Sequence, residues 1–147
     1  MHVFIAYPFT KLIDENTGEI RYCERLFLEK LRLYIKENGH TVFLAHYREN
    51  WGKQLMSANE CTPADLYEMK KADLVIAFPG EKIPSGGVMI ELGWASILNK
   101  KIVLFCDKQT EYSPLVYGLG TICDVIQVKY NDEPNIDTVI QIIGKEI

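Results

Sequence analysis

Short apolar runs recur along the chain at Val3 to Tyr7, Thr41 to Leu44, Leu74 to Phe78, Ile102 to Cys106 and Val125 to Val128. Each is continuous rather than alternating, the pattern of a strand covered on both faces. Between the runs the apolar positions take a helical period. From Arg21 to Asn38, Cys23, Phe27, Leu31 and Tyr34/Ile35 repeat every three to four residues, and Gly39 supplies a stop. Thr62-Pro63-Ala64-Asp65 announces a second helix, with a capping threonine, a proline at the first helical position and an acid at the third. A third helix runs from about Gly87 to Leu98 and a last one from Ile136 to Lys145. Strands alternating with helices over residues 1–147 predict one α/β domain: a doubly wound, five-stranded parallel sheet with helices on both faces, Rossmann- or flavodoxin-like. Ligands on such sheets sit beyond the carboxyl ends of the strands. Chemistry is therefore expected in the connections Pro8 to Ile20, Ala45 to Cys61, Pro79 to Gly87 and Asp107 to Gly118. The first two are long, and long connections in compact domains usually carry function.

Composition narrows this picture. With 147 residues and 48% hydrophobic content the chain can bury one real core and has no room for a second domain. A net charge of -4 argues against nonspecific binding to nucleic-acid backbones, which needs a basic surface. The four cysteines, Cys23, Cys61, Cys106 and Cys123, form no CxxC pair and read as reduced thiols of a cytoplasmic protein. The apolar N-terminus lacks a basic leader and a cleavage site, so it reads as a first strand, and no segment reaches the roughly 18 apolar residues of a membrane span.

The sharpest chemical signal is Glu91, the one charged residue between Gly86 and Leu98. Burying an unpaired carboxylate is costly, so Glu91 is either tied into a structural ion pair or retained for use. Ahead of it, Ser85-Gly86-Gly87 opens the helix and offers free backbone N–H groups to an anion such as phosphate, although a plain tight turn with a cap would look the same. Asp65 has a plain alternative too, as an acid supporting a helix start. His46, Arg48, Glu49 and Trp51 crowd one connection, where they suggest contact with a ligand or partner chain. A solvated loop is the alternative, and His46 alone reads as a hydrogen-bonding surface residue beside a strand end. No His/Cys/Asp cluster has metal-ligand spacing, and there is no dinucleotide or triphosphate loop, so neither a metal nor a cofactor is expected.

These residues bring out a resemblance. Ala6-Tyr7-Pro8-Phe9 at the end of the first strand, Asp65-Leu66 leading to Ala72-Asp73, and Glu91-Leu92-Gly93-Trp94-Ala95 resemble the nucleoside 2-deoxyribosyltransferase superfamily. Transferases of that superfamily usually have an acid six residues before the nucleophilic glutamate, and its nucleotide N-hydrolases have a serine, as Ser85 is here. A closer likeness is to the CMP/5-hydroxymethyl-CMP hydrolases of the mildiomycin and bacimethrin antimetabolite pathways. It extends over Ala45-His46, Arg48-Glu49, Trp51-Gly52, Ala77 to Gly80 and Tyr112 to Leu119. The resemblance implies that Glu91 is the nucleophile and Asp65 its acid or base partner. It makes Ser85 and Gly87 phosphate donors and Phe4 and Phe9 walls of the base pocket, with Tyr7, Thr10, His46 and Arg48 completing the substrate-binding set. It also implies a homodimer in which Ser113 reaches the neighbouring site. In the mildiomycin-pathway enzyme an arginine after the Pro-Phe pair helps select the hydroxymethylated base. Thr10 and Lys11 stand there in this chain, which leaves the choice between CMP and hydroxymethyl-CMP open.

The expected reaction is hydrolysis of the N-glycosidic bond of a pyrimidine ribonucleoside 5′-monophosphate. The alternatives are base exchange by a deoxyribosyltransferase, a Toll-receptor-like domain cleaving NAD, and a non-catalytic nucleotide-binding module. A shared fold does not separate them.

Overall fold

The computed structural model describes residues 1–147. Strands β1 (His2–Ala6), β2 (Thr41–Leu44), β3 (Leu74–Ala77), β4 (Lys101–Asp107) and β5 (Val125–Tyr130) form one sheet in the order β2-β1-β3-β4-β5. All four pairings are parallel. Helices α1 (Tyr22–Glu37), α2 (Ala45–Arg48), α3 (Ala58–Lys71), α4 (Gly86–Ile97), α5 (Pro114–Tyr117) and α6 (Ile136–Ile143) connect and cover it. The doubly wound five-stranded fold is as expected.

Two cores sandwich the sheet. On one face Leu28, Leu31 and Ile35 of α1 and Val139 and Ile143 of α6 pack on Val3, Ile5, Ile76 and Phe105. On the other, Met69 of α3 and Val88, Leu92 and Ala95 of α4 pack on Phe4, Val75, Ala77 and Leu104. Continuous burial holds for β3 and most of β1 and β4, whereas β5 alternates half-buried and exposed positions because it is an edge strand covered on one face. The inward stripe of α1 also differs from the expected one: Cys23 is exposed and Leu28 takes the buried position.

Two local expectations are corrected. The second helix is capped five residues before Thr62, because Ser57 and Glu60 form a capping box: the Glu60 carboxylate accepts from the Ser57 backbone N–H at 3.0 Å and from its hydroxyl at 2.6 Å. Pro63 therefore lies inside α3 and Asp65 sits in its middle rather than at its start. The stretch from Ala45 to Cys61 is no open loop. It holds α2, a 3-10 turn at Asn50–Gly52 and the first turn of α3.

That 3-10 turn is tightly constrained. Asn50, Trp51 and Gly52 have φ of 48°, 59° and 100°, and a Cβ on Gly52 would stand 2.8 Å from the Gly18 carbonyl oxygen. The conformation buries the Trp51 ring, with Arg25 over its face at 5.1 Å, and turns the Trp51 carbonyl to accept from Ile20 N–H at 2.8 Å. Residues 8–20, closed on themselves by an antiparallel bridge between Ile13 and Ile20, are thereby fastened to the connection after α2.

Candidate active site

The two connections fastened at Trp51 wall a cleft of about 450 Å³ at the carboxyl ends of β1 and β2. The start of α4 and the middle of α3 supply the other walls. Tyr7, Phe9, Thr10, His46, Asp65, Ser85, Gly87 and Glu91 all line it, so residues far apart in sequence meet on one surface. Phe4 does not. It is wholly buried in the core against the ring of Phe43, 4.9 Å between centroids, so it does not form the pocket wall expected of it. Ser113 is outside the cleft as well, exposed at the start of α5, where its hydroxyl accepts from Leu115 N–H.

Glu91 sits half-buried on α4 and takes part in no ion pair or hydrogen bond. Burial pushes its pKa up to about 8, the charge of Asp65 pushes the same way, and Arg48 opposes both. The structural ion pair that was the alternative for this residue is absent. Five residues ahead, α4 begins at Gly86 with no acid in its first turn, and the Ser85 hydroxyl accepts from Val88 N–H at 3.5 Å. Glu91 thus stands about 7.5 Å along the axis from the positive end of its own helix.

Asp65 of α3 and Glu49, which follows α2, are by contrast paired. Arg48 donates from Nη1 to Asp65 at 2.5 Å and from Nη2 to Glu49 at 2.6 Å, and its guanidinium lies 5.2 Å from the centre of the Phe43 ring. It lies behind the cleft wall rather than on its lining. Glu49 is buried and lines the cleft, and its second oxygen accepts from Met56 N–H at 3.2 Å. Burial raises the pKa of Asp65 and the bond to Arg48 resists that rise.

His46, expected at the surface, is 1% exposed. Its Nε2–H donates to the Pro8 carbonyl at 2.8 Å, and the ring lies against Phe9 at 4.5 Å and edge-on to Tyr7 at 5.9 Å. Burial lowers its pKa to about 4, against the pull of the Pro8 carbonyl, so the ring is neutral and serves to fix the first loop. Glu49 and Lys11 also line the cleft, although neither was placed in the expected substrate-binding set. The juxtaposed charges of Arg48 and Glu49 were the available sign for the first, and only the folded loop shows the second.

Chemically, the site offers one free carboxyl of raised pKa, a second carboxyl held by a guanidinium, aromatic walls and a helix N-terminus. That is the equipment of a glycosidic-bond enzyme with two carboxyl groups and an anion subsite.

Known proteins point the same way. The nucleoside 2-deoxyribosyltransferase family matches residues 19–139. The solved CMP N-glycosidase BcmB of Clostridium botulinum is 31% identical over the whole of both chains, with a TM-score of 0.75. BlsM, solved in solution, is 39% identical over 95% of this chain and 85% of its own, with a TM-score of 0.78. A 2-deoxyribosyltransferase of Bacillus psychrosaccharolyticus shares the fold at 20% identity, covering 95% of this chain and 90% of its own, with a TM-score of 0.61. No curated protein sequence matches.

Proposed function

Since the chain belongs to the nucleoside 2-deoxyribosyltransferase family, we propose that it hydrolyses the N-glycosidic bond of a pyrimidine ribonucleoside 5′-monophosphate, CMP or 5-hydroxymethyl-CMP, with Glu91 as nucleophile. The observation that carries this reading is an unpartnered carboxyl in a cleft that opens onto the N-terminus of its own helix. Similarity to a CMP N-glycosidase supports the choice of base and phosphate.

In this mechanism the phosphate rests on Ser85 and the N–H groups of Gly86 and Gly87, and the base lies by Phe9 and Tyr7. Ionised Glu91 attacks C1′ of the ribose. The C1′–O bond to Glu91 forms as the C1′–N1 bond breaks, and the electron pair leaves with the base. The reactive form is the one in which the single proton of the two carboxyl groups has passed from Glu91 to Asp65, and Asp65 gives it to the departing base. It then takes a proton from the water that opens the ribosyl ester, releasing ribose 5-phosphate and restoring both carboxyl groups.

The protein acts in this account as a cytoplasmic homodimer, for which four unpaired cysteines and an apolar outer strip give support. Ile90 and Ile97 of α4 are 56% and 84% exposed, and Leu115 of α5, on the same face of the sheet, is 83% exposed. The partner's copy of that strip would bring Ser113 to the phosphate. No helix is long and apolar enough to cross a membrane.

The test is to supply CMP, hydroxymethyl-CMP, dCMP and cytidine, each with and without an added free base. Release of cytosine base from the ribonucleotides, with no new nucleoside formed, supports hydrolysis. Transfer of the sugar to the added base would establish a transferase, the reading that the family name favours.

A further inference from the structure

One guanidinium serves two carboxylates at the wall of the cleft. Arg48 gives Nη1 to Asp65 at 2.5 Å and Nη2 to Glu49 at 2.6 Å, and its Nε–H meets no acceptor, so its charge is divided between those two groups. Glu49 is the more firmly held of them. It is 6% exposed, and its second oxygen accepts from Met56 N–H at 3.2 Å. Asp65 has Arg48 as its one ion-pair partner, and Glu91, on the next helix, has none. Three carboxyl groups therefore gather round a single cation, and like charges so placed do not all ionise together. Burial raises the pKa of Asp65, with the charge of Glu49 and against the bond from Arg48, and burial raises that of Glu91, with the charge of Asp65 and against Arg48.

Resting on the reading of Asp65 and Glu91 as the reacting pair, we propose that Glu49 is a positioning residue that acts through Arg48. By engaging one edge of the guanidinium it keeps that charge from ionising both reacting carboxyl groups at once, and so preserves the one proton that the pair must share. Glu49 is suited to this part because it is fastened at both oxygens and cannot swing toward the sugar. No other charged group at the cleft does the same. The remaining titratable side chains that line it are Tyr7 at the end of β1, Lys11 of the first loop, whose ammonium donates to the Ile83 and Pro84 carbonyls, the neutral His46 of α2 and Cys61 of α3; α4 contributes Glu91 alone.

The readout is the side-chain carboxyl carbon resonance of Glu91, titrated by NMR in substrate-free protein and assigned by its loss in Glu91→Gln. Glu49→Gln keeps the shape and removes the charge, so the Glu91 titration moves down by about 1 pH unit, and the pH profile of kcat/KM for CMP moves with it. Glu49→Asp keeps the charge and leaves both near their wild-type positions. Arg48→Met joined to Glu49→Met replaces the ion pair by apolar groups, and its Glu91 titration lies about 1 unit below that of Arg48→Met alone. This comparison decides the matter if Glu49→Gln does not fold. A titration that Glu49→Gln leaves in place or moves up, or that is the same in Arg48→Met with and without Glu49→Met, would overturn the proposal, since Glu49 would then only brace the fold. If the titration moves as stated and CMP stays intact, Glu49 keeps its part toward the carboxyl pair and the hydrolase reading falls alone.

Discussion

In the proposed mechanism Glu91 is ionised while Asp65 holds the one proton of the pair, and burial, with the charge of Asp65, raises the pKa of Glu91 to about 8. The pair loses that proton as pH rises through about 8, so kcat/KM for CMP should fall along an alkaline limb centred there in the free protein. Arg48 lowers the pKa of Glu91, so Arg48→Met should move that limb to higher pH, which a kcat/KM profile would register. A limb unmoved by Arg48→Met would mean that the guanidinium does not act on Glu91. The same carboxyl has a stability signature. Its folded pKa is raised above the unfolded value, so its contribution is complete below about 4.5 and is lost as pH rises toward 8. Urea titrations at pH 5 and pH 8 should show Glu91→Gln removing part of that decline. His46 has the opposite sign. Its folded pKa is depressed from 6.5 to about 4, so stability falls as pH drops between those values, by up to about 3 kcal/mol, and His46→Phe should flatten this acid loss. At this scale Glu91 was legible as a lone charge in an apolar helix, and Asp65 only through resemblance. Burial of His46 was not legible, because its partner is a backbone carbonyl 38 residues away. Phe4 was misplaced because an aromatic beside a site loop looks the same in sequence whether it faces the core or the cleft.

At the scale of elements, strand existence followed from apolar runs, and the interior strands agree within a residue or two at each end. The start of α3 did not, because Thr62-Pro63 and Ser57-Glu60 are competing start signals and the reciprocal bonds of the second pair prevail. Nor was the turn at Asn50–Gly52 visible, since nothing in those residues alone announces consecutive left-handed conformations. This turn holds the two site connections together. Gly52→Ala should destabilise the protein by about 1–3 kcal/mol in chemical denaturation, because the new methyl meets the Gly18 carbonyl and the φ is unfavourable. A change within a few tenths would show that the two connections are not locked there.

At the scale of the molecule, the β2-β1-β3 order brings the ends of β1, β2 and β3 side by side, and the helices that follow deliver the carboxyl groups of α3 and α4 to one crevice. The assembly is tested separately from the chemistry. Ile97→Asp with Leu115→Asp should convert a dimer to a monomer in sedimentation velocity while leaving the fold intact, and CMP turnover should fall if Ser113 serves the neighbouring site. The central claim is that Glu91 cleaves the glycosidic bond of a nucleotide. Free cytosine released from CMP at pH 8 by wild type and by Glu91→Gln, side by side, tests it most directly. The account predicts steady release by wild type and a fall of at least about 1000-fold in the variant, the scale on which removing a nucleophile acts. Equal release by both proteins, or none by wild type, would contradict it.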